Sequence, residues 1–297
     1  MKVFVTGATG YIGMAVAEAL RRRGHAVSGL ARSDAKARAL DAREIEPVMG
    51  DMRDPSTYAD AARGADALVH CAAEYSAEYE ALDKITTDFL LKTAAEGTKK
   101  RAVVYTSGVW LYGSNAAVVD ETGAAARAEL APWRAGHEKK VLAAGGLVLR
   151  PGCVYGRAGG LTGFWFGGAL ERGAAPIAGD GSNYWATIHV DDCAQLYALA
   201  LESGLRGELF NATDSSRATV RSMAAAASRA AGKQSLVVAL NDADAAKAFG
   251  AGMVAGLKLD QKIDSSKARR ALRWEPCFPA FVDDAPRYFA AWSAART

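Results

Sequence analysis

Val3-Phe4-Val5-Thr6-Gly7-Ala8-Thr9-Gly10-Tyr11-Ile12-Gly13 is the stretch that decides the fold. A short apolar run ends at a glycine, two more glycines follow at intervals of three, and a helical pattern begins at once. Strand, glycine turn and helix in that order form the context in which glycines mark a dinucleotide site. Gly7 suits the tight turn, Gly10 lets backbone approach a pyrophosphate, and Gly13 lets the helix pack close to the sheet. The helix N-terminus then offers free N–H groups and a positive dipole end to phosphates.

Working outward, Ile12, Val16 and Leu20 give the first helix an inward stripe, and Gly24 ends it. A second strand spans 26–30, and Ser33 caps a helix running to about Leu40. The third strand, 47–49, leads into Gly50-Asp51-Met52, and Asp54-Pro55 opens a helix that Gly64 closes. Strands at 67–70, 102–105 and 147–149 alternate with helices at 77–96 and 132–144. This alternation predicts an α/β fold, a Rossmann-type, doubly wound parallel sheet.

After Gly156 the alternation loosens. Residues 158–183 read as a loop with one short helix, 185–189 as a short strand, and 191–202 as a helix capped by Asp191. Residues 209–211 read as one more sheet strand, and the chain from Thr219 onward as mostly helical, broken at 236–240. The expected division is a dinucleotide-binding domain over 1–160, rejoined by 184–215. A smaller, mostly helical lobe over 161–183 and 216–297 closes on the substrate.

With 297 residues, half of them hydrophobic, the chain can bury a sizeable core. Its net charge of +3, from 36 basic and 33 acidic residues, points away from nucleic acid and acidic membranes. Four scattered cysteines and four histidines show neither a disulfide framework nor metal-ligand spacing, so no metal is expected. The first strand starts almost at Met1, leaving no room for a signal peptide, and no uncharged apolar run reaches about 18 residues. The expectation is a cytoplasmic monomer or homodimer acting on a small molecule.

Further motifs carry a resemblance: Gly50-Asp51-Met52, His70-Cys71-Ala72-Ala73, Tyr105-Thr106-Ser107-Gly108, Arg150-Pro151-Gly152 with Val154-Tyr155-Gly156, and Ile188-His189-Val190-Asp191-Asp192. With Ser265-Ser266-Lys267-Ala268 and Leu272-Arg273-Trp274-Glu275-Pro276 they cover nearly the whole chain. In this order they resemble the extended short-chain dehydrogenase/reductase family, also labelled NAD-dependent epimerase/dehydratase, and look most like an atypical branch of it. The resemblance implies that Gly7, Thr9, Gly10, Tyr11, Ile12 and Gly13 line a pyrophosphate and that Asp51 and Met52 meet the adenine. It places Cys71, Ala72 and Ala73 along the nicotinamide half, Thr106 and Ser107 at the reacting centre, and Pro151, Gly152 and Val154 over the nicotinamide.

The chain departs from the family at its proton-handling pair. Typical members carry Tyr-x-x-x-Lys on the helix after strand five, one turn apart on a shared face. Here Trp133 stands at the Tyr position and His137 at the Lys position. Indole is neither acid nor base near neutral pH, whereas imidazole titrates there. His137 is therefore a candidate acid, or else an ordinary helix-surface histidine. Tyr112 and Tyr155 read as structural, and the aromatic run at 164–166 as either pocket wall or packing.

Cofactor choice is read at the end of strand two. NAD-using relatives place a carboxylate there; this chain has Ala31, followed by Arg32 and Ser33, which suit a 2′-phosphate. NADP is the expected cofactor. The resulting reading is hydride transfer to or from a small carbonyl or alcohol, with Thr106 and Ser107 orienting its oxygen and His137 or a substrate group handling the proton. A non-catalytic NADP sensor or scaffold and a nucleotide-sugar epimerase or dehydratase are the competing readings.

Overall fold

The computed structural model describes residues 1–98, 100–125 and 131–296. The chain opens with strand β1 (Lys2–Thr6), the glycine turn and helix α1 (Tyr11–Arg22). Then come β2 (Ala26–Ala31), α2 (Asp34–Asp41) and β3 (Glu46–Met49). A 3₁₀ turn capped by Asp54 leads into α3 (Ala59–Gly64) and β4 (Ala67–His70). Helix α4 (Tyr79–Ala95), β5 (Ala102–Thr106), α5 (Arg134–Ala143) and β6 (Leu147–Pro151) continue the alternation. Beyond them lie β7 (Cys153–Tyr155), α6 (Gly163–Arg172), β8 (Ala175–Ala178), β9 (Thr187–His189), α7 (Val190–Glu202) and β10 (Leu209–Ala212). Seven described strands form one sheet in the order β10-β6-β5-β4-β1-β2-β3, every neighbouring pair parallel.

Both faces of this sheet are covered, which is why its strands read as nearly continuous apolar runs. Alternate residues still part company: Val3 and Val5 join the core under α1 and α7, while Phe4 joins Tyr58, Leu68 and Leu90 on the opposite face.

Most of the remaining elements build a second apolar cluster. They are α8 (Val220–Ala230), β11 (Val237–Leu240), α9 (Asp242–Phe249), α10 (Val254–Leu257) and α12 (Phe281–Ala294), while α11 (Ser266–Leu272) sends Ala268 and Leu272 into the first core instead. Trp165 and Trp185 stack at 5.2 Å at the centre of the second cluster, and Phe166 packs against Phe281. Trp165 and Phe166 are thus buried packing. Residues 158–183 hold more order than a loop, since α6 is followed by β8, which pairs with β11. That partner lies far along the chain, so no local hairpin signal announces the pair. Strand β7, also unforeseen, pairs with β9.

The cap of α7 needs correction. His189, not Asp191, caps it, its Nδ1 accepting from the Asp191 N–H at 3.2 Å. Burial pushes the imidazole down to about 4, against the pull of Asp191, so the ring is neutral and free to accept. The Asp191 carboxylate is drawn instead to Arg157 Nη2, 2.5 Å away.

A polar relay crosses the interior beneath β1, β4 and β5. Thr6 Oγ1 meets His70 Nδ1 at 2.6 Å, and His70 Nε2 lies 3.4 Å from Asp83 Oδ1. Asp83 Oδ2 takes His137 Nδ1 at 2.6 Å and accepts from Tyr105 Oη at 2.8 Å. Burial alone opposes charge on Asp83, but the hydrogen bond from His137 and the closeness of the His70 ring outweigh it, holding the carboxyl below its ordinary value. Asp83→Ala is expected to cost roughly 2–5 kcal/mol at neutral pH, because buried partners lose their acceptor. A depressed carboxyl stabilises above its unfolded value of about 3.9 and loses that contribution as pH falls below it. Urea unfolding should therefore show the gap between wild type and variant closing in acid.

Candidate functional site

Strand β1 lies between β2 and β4, the point where successive strands switch from one side of the sheet to the other. A crevice opens there at the carboxyl ends of the strands. Gly7, at the end of β1, has φ +75°, and a Cβ on it would lie 2.5 Å from the Ala72 nitrogen after β4. A Cβ on Gly13 would lie 2.1 Å from the Gly7 carbonyl oxygen. The smallness of Gly13 thus serves the turn itself rather than the sheet. Gly10 closes the turn with its N–H on Gly7 O at 2.9 Å, and a Cβ there would meet protein only at that oxygen, 3.2 Å away. Its outer side is bare, and α1 begins beside it.

A cavity of about 480 Å³ lies over this turn. Gly7, Thr9, Gly10, Tyr11 and Ile12 line it together with Arg32, Met52, Cys71, Ala72 and Ala73. Pro151, Gly152 and Val154 form part of its wall, as does Ser107. Gly152 needs its small size, since a Cβ would lie 2.4 Å from Ala186 O. Tyr11 is tied across the mouth by its hydroxyl, which donates to Gly156 O at 2.7 Å. Leu161 and Met253 come from beyond the sheet to face the same space.

Other residues singled out by sequence stand outside the lining. Gly13 is behind the turn, Ser33 Oγ caps α2, and Asp51 Oδ1 accepts from the Arg53 N–H at 2.9 Å. Thr106 Oγ1 accepts from Tyr197 Oη at 2.8 Å and donates to Cys71 Sγ at 3.4 Å, so its hydroxyl is already engaged within the protein. His137 is buried against Asp83, which corrects the expectation of a helix-surface histidine. Its neighbour Glu138 grips Arg150 with both carboxylate oxygens, at 2.8 and 2.5 Å, fixing α5 to β6. Tyr112 donates to Asn211 Oδ1 and Tyr155 to Pro279 O, both as structural bonds.

Ser107 behaves differently from its neighbour. It is 5% exposed, its Oγ has no partner among the described residues, and it lines the cavity. A bare glycine turn at a helix start and an unpaired hydroxyl further along the same cavity fit a dinucleotide with a polar substrate beyond it. Tyr75, Tyr79, Trp110 and Arg134 also line the cavity and were not singled out as site residues. Trp110 follows β5, and the others follow β4 or begin α5, where residue type alone gives no warning. Among the described residues no cluster of His, Cys, Asp and Glu is arranged to hold a metal ion, and no helix is long and apolar enough to cross a membrane.

The family described as the NAD dependent epimerase/dehydratase family matches residues 3–213. The chain belongs to this family. Among its relatives, a 3-diazoavenalumate denitrifying reductase from Streptomyces sp. is 29% identical over 310 residues, spanning 95% of this chain and 98% of the relative. A 4-hydroxy-2-methyl-3-oxo-4-farnesyl-3,4-dihydroquinoline-1-oxide ketoreductase from Stigmatella aurantiaca is 29% identical over 236 residues, 75% of this chain and 71% of that one. The crystal structure of human epimerase family protein SDR39U1 with NADPH shares the fold, with TM-score 0.77 and 22% identity over 98% of this chain and 99% of that one. The family is one that binds a nicotinamide dinucleotide.

Two glycines of this epimerase/dehydratase-family protein separate folding from binding. Gly7→Ala forces a side chain into left-handed backbone, about 1–2 kcal/mol before any collision, and should lower both the urea midpoint and cofactor affinity. Gly10→Ala should lower the midpoint less than Gly7→Ala does and weaken NADPH binding on the order of tenfold, about 1.4 kcal/mol. Fluorescence titration of NADPH on both variants checks this.

Proposed function

We propose that the protein is an NADP(H)-dependent oxidoreductase that interconverts a small carbonyl compound and its alcohol, as a cytoplasmic monomer or homodimer. The observation that carries this reading is the unpartnered Ser107 hydroxyl in the same cavity as the glycine turn. A buried hydroxyl without a partner costs free energy that a substrate oxygen recovers. Nicotinamide, when bound, supplies or accepts the hydride. The chain's own part is to hold the dinucleotide along Gly7, Thr9, Gly10, Tyr11 and Ile12, to fix the substrate oxygen by Ser107, and to exclude water. We assign substrate contact to the lobe formed by 161–183 and 216–297, which contributes Leu161 and Met253 to the wall. The reductase names of two relatives, one of them a ketoreductase, support the reaction class.

The preference for NADP rests on the end of β2. Ala31 is fully buried and brings no carboxylate, Asp34 lies in the first turn of α2, and Arg32 lines the cavity. Arg32 pairs with Glu74 at 2.9 Å, but Arg32 is 55% exposed. Such a surface pair is worth about 0–1 kcal/mol, less than the roughly 1.5–3 kcal/mol of a charge-assisted bond to phosphate. Arg32 is therefore free to exchange partners.

Calorimetric titration should give tighter binding of NADPH than of NADH. Arg32→Ala should weaken NADPH on the order of 10- to 100-fold, the equivalent of that bond, and leave NADH unchanged. Stopped-flow oxidation of NADPH against ketones, aldehydes, 3-oxo esters and quinones tests the reaction. Turnover supports the oxidoreductase reading, and tight binding with no oxidation across the panel supports a sensor instead.

A further inference from the structure

Helix α5 begins at Arg134, so Trp133 is its N-cap rather than a member of its inward face. The inward positions His137, Glu138 and Val141 are all buried and spent on packing, on Asp83 and on Arg150. Arg134 alone among the described α5 residues reaches the cavity. It forms no ion pair among the described residues, and its Nη2 donates to the phenol oxygen of Tyr79 at the start of α4. Tyr79 lines the same cavity. Trp133 holds both partners in place: its ring meets Tyr79 edge-on at 5.0 Å, and the Arg134 guanidinium lies 5.5 Å from it.

An acid for a carbonyl oxygen must face the cavity, carry a proton near neutrality, and leave an anion that a fixed cation stabilises. Thr106 and His137 fail the first condition. Tyr75 is 79% exposed and has no cation on its hydroxyl. Tyr79 meets all three. Arg134 donates to the phenol oxygen, so the Tyr79 O–H keeps its proton to give, with the Tyr75 hydroxyl as its neighbour in the exposed part of the cavity wall. Burial pushes this phenol up, with the Arg134 charge pulling the other way, so it is protonated at neutral pH.

We propose that Tyr79 is the proton donor of this site and Arg134 its positioning residue, the pair doing from α4 and α5 together what Tyr-x-x-x-Lys does from one helix. This assignment rests on the oxidoreductase reading. In the reducing direction the carbonyl carbon gains a hydride from the dihydronicotinamide. The carbonyl oxygen gains the Tyr79 phenol proton, the product is the alcohol, and water returns a proton to the tyrosinate held by Arg134.

The test uses the NADPH-loaded protein and whichever of phenanthrenequinone or ethyl 3-oxobutanoate the wild type reduces. Tyr79→Phe should lose on the order of 10² to 10⁴ in kcat while NADPH affinity, read by fluorescence, stays near wild type. Arg134→Gln should also lose kcat, with the alkaline limb of its pH profile moved upward because the phenol has lost its cation; Arg134→Lys should restore both. As an isosteric control, 3-fluorotyrosine at position 79 has a more acidic phenol and should move that limb downward. Its fluorine resonance should shift when Arg134→Gln is added, a readout independent of turnover. An active wild type whose Tyr79→Phe variant keeps full kcat, or a limb that ignores the fluorinated phenol, overturns the proton donor alone. A wild type inert toward every carbonyl in the panel overturns the oxidoreductase reading and the donor with it.

Discussion

Gly7 lies so close to the Ala72 backbone that not one extra carbon fits between them. This contact fixes the ends of β1 and β4 against each other where the strand order reverses, and the crevice follows from it. Gly13 in turn lies on the Gly7 carbonyl, which aims α1 at the crevice. The close-packed turn and the bare side of Gly10 are two consequences of one geometry. Steric exclusion positions the helix start, and a helix start offers free N–H groups to an anion.

The strand ends around that crevice divide their polar groups between structure and chemistry. Thr6 and Thr106 send hydroxyls to His70 and to Tyr197 with Cys71, where they are satisfied. One residue further, Ser107 lines the cavity and its buried hydroxyl has no partner among the described residues. Successive residues of an extended chain point to opposite sides, so neighbours one position apart need not share partners: one hydroxyl is satisfied and the other is not. Treating Thr106 and Ser107 as a single pair hides that separation.

The same division explains the departure at α5. His137 is taken up by Asp83 in the buried relay, and Glu138 by Arg150. Trp133 has moved off the helix face to become its N-cap and to brace Tyr79 and Arg134. What looks in sequence like the loss of a Tyr and a Lys is, in three dimensions, a helix whose inward face has been given over to packing. A phenol and a cation remain at the cavity, but they come from two different elements.

The amino-acid sequence by itself determined the alternation of strands and helices, the glycine turn, the absence of a carboxylate at Ala31 and the vacancy of the Tyr-x-x-x-Lys positions. Each of these is a local pattern, written in periodicity, in backbone permissiveness or in residue type at a fixed spacing. Only the tertiary structure decided that β8 pairs with β11, that His189 rather than Asp191 caps α7, that His137 is buried, and that Tyr79 meets Arg134. Those outcomes depend on groups distant in sequence competing for the same partner, as Asp191 does for Arg157 and His137 for Asp83. Spacing along the chain carries no record of that competition, because burial and hydrogen-bond satisfaction act between elements after they have packed.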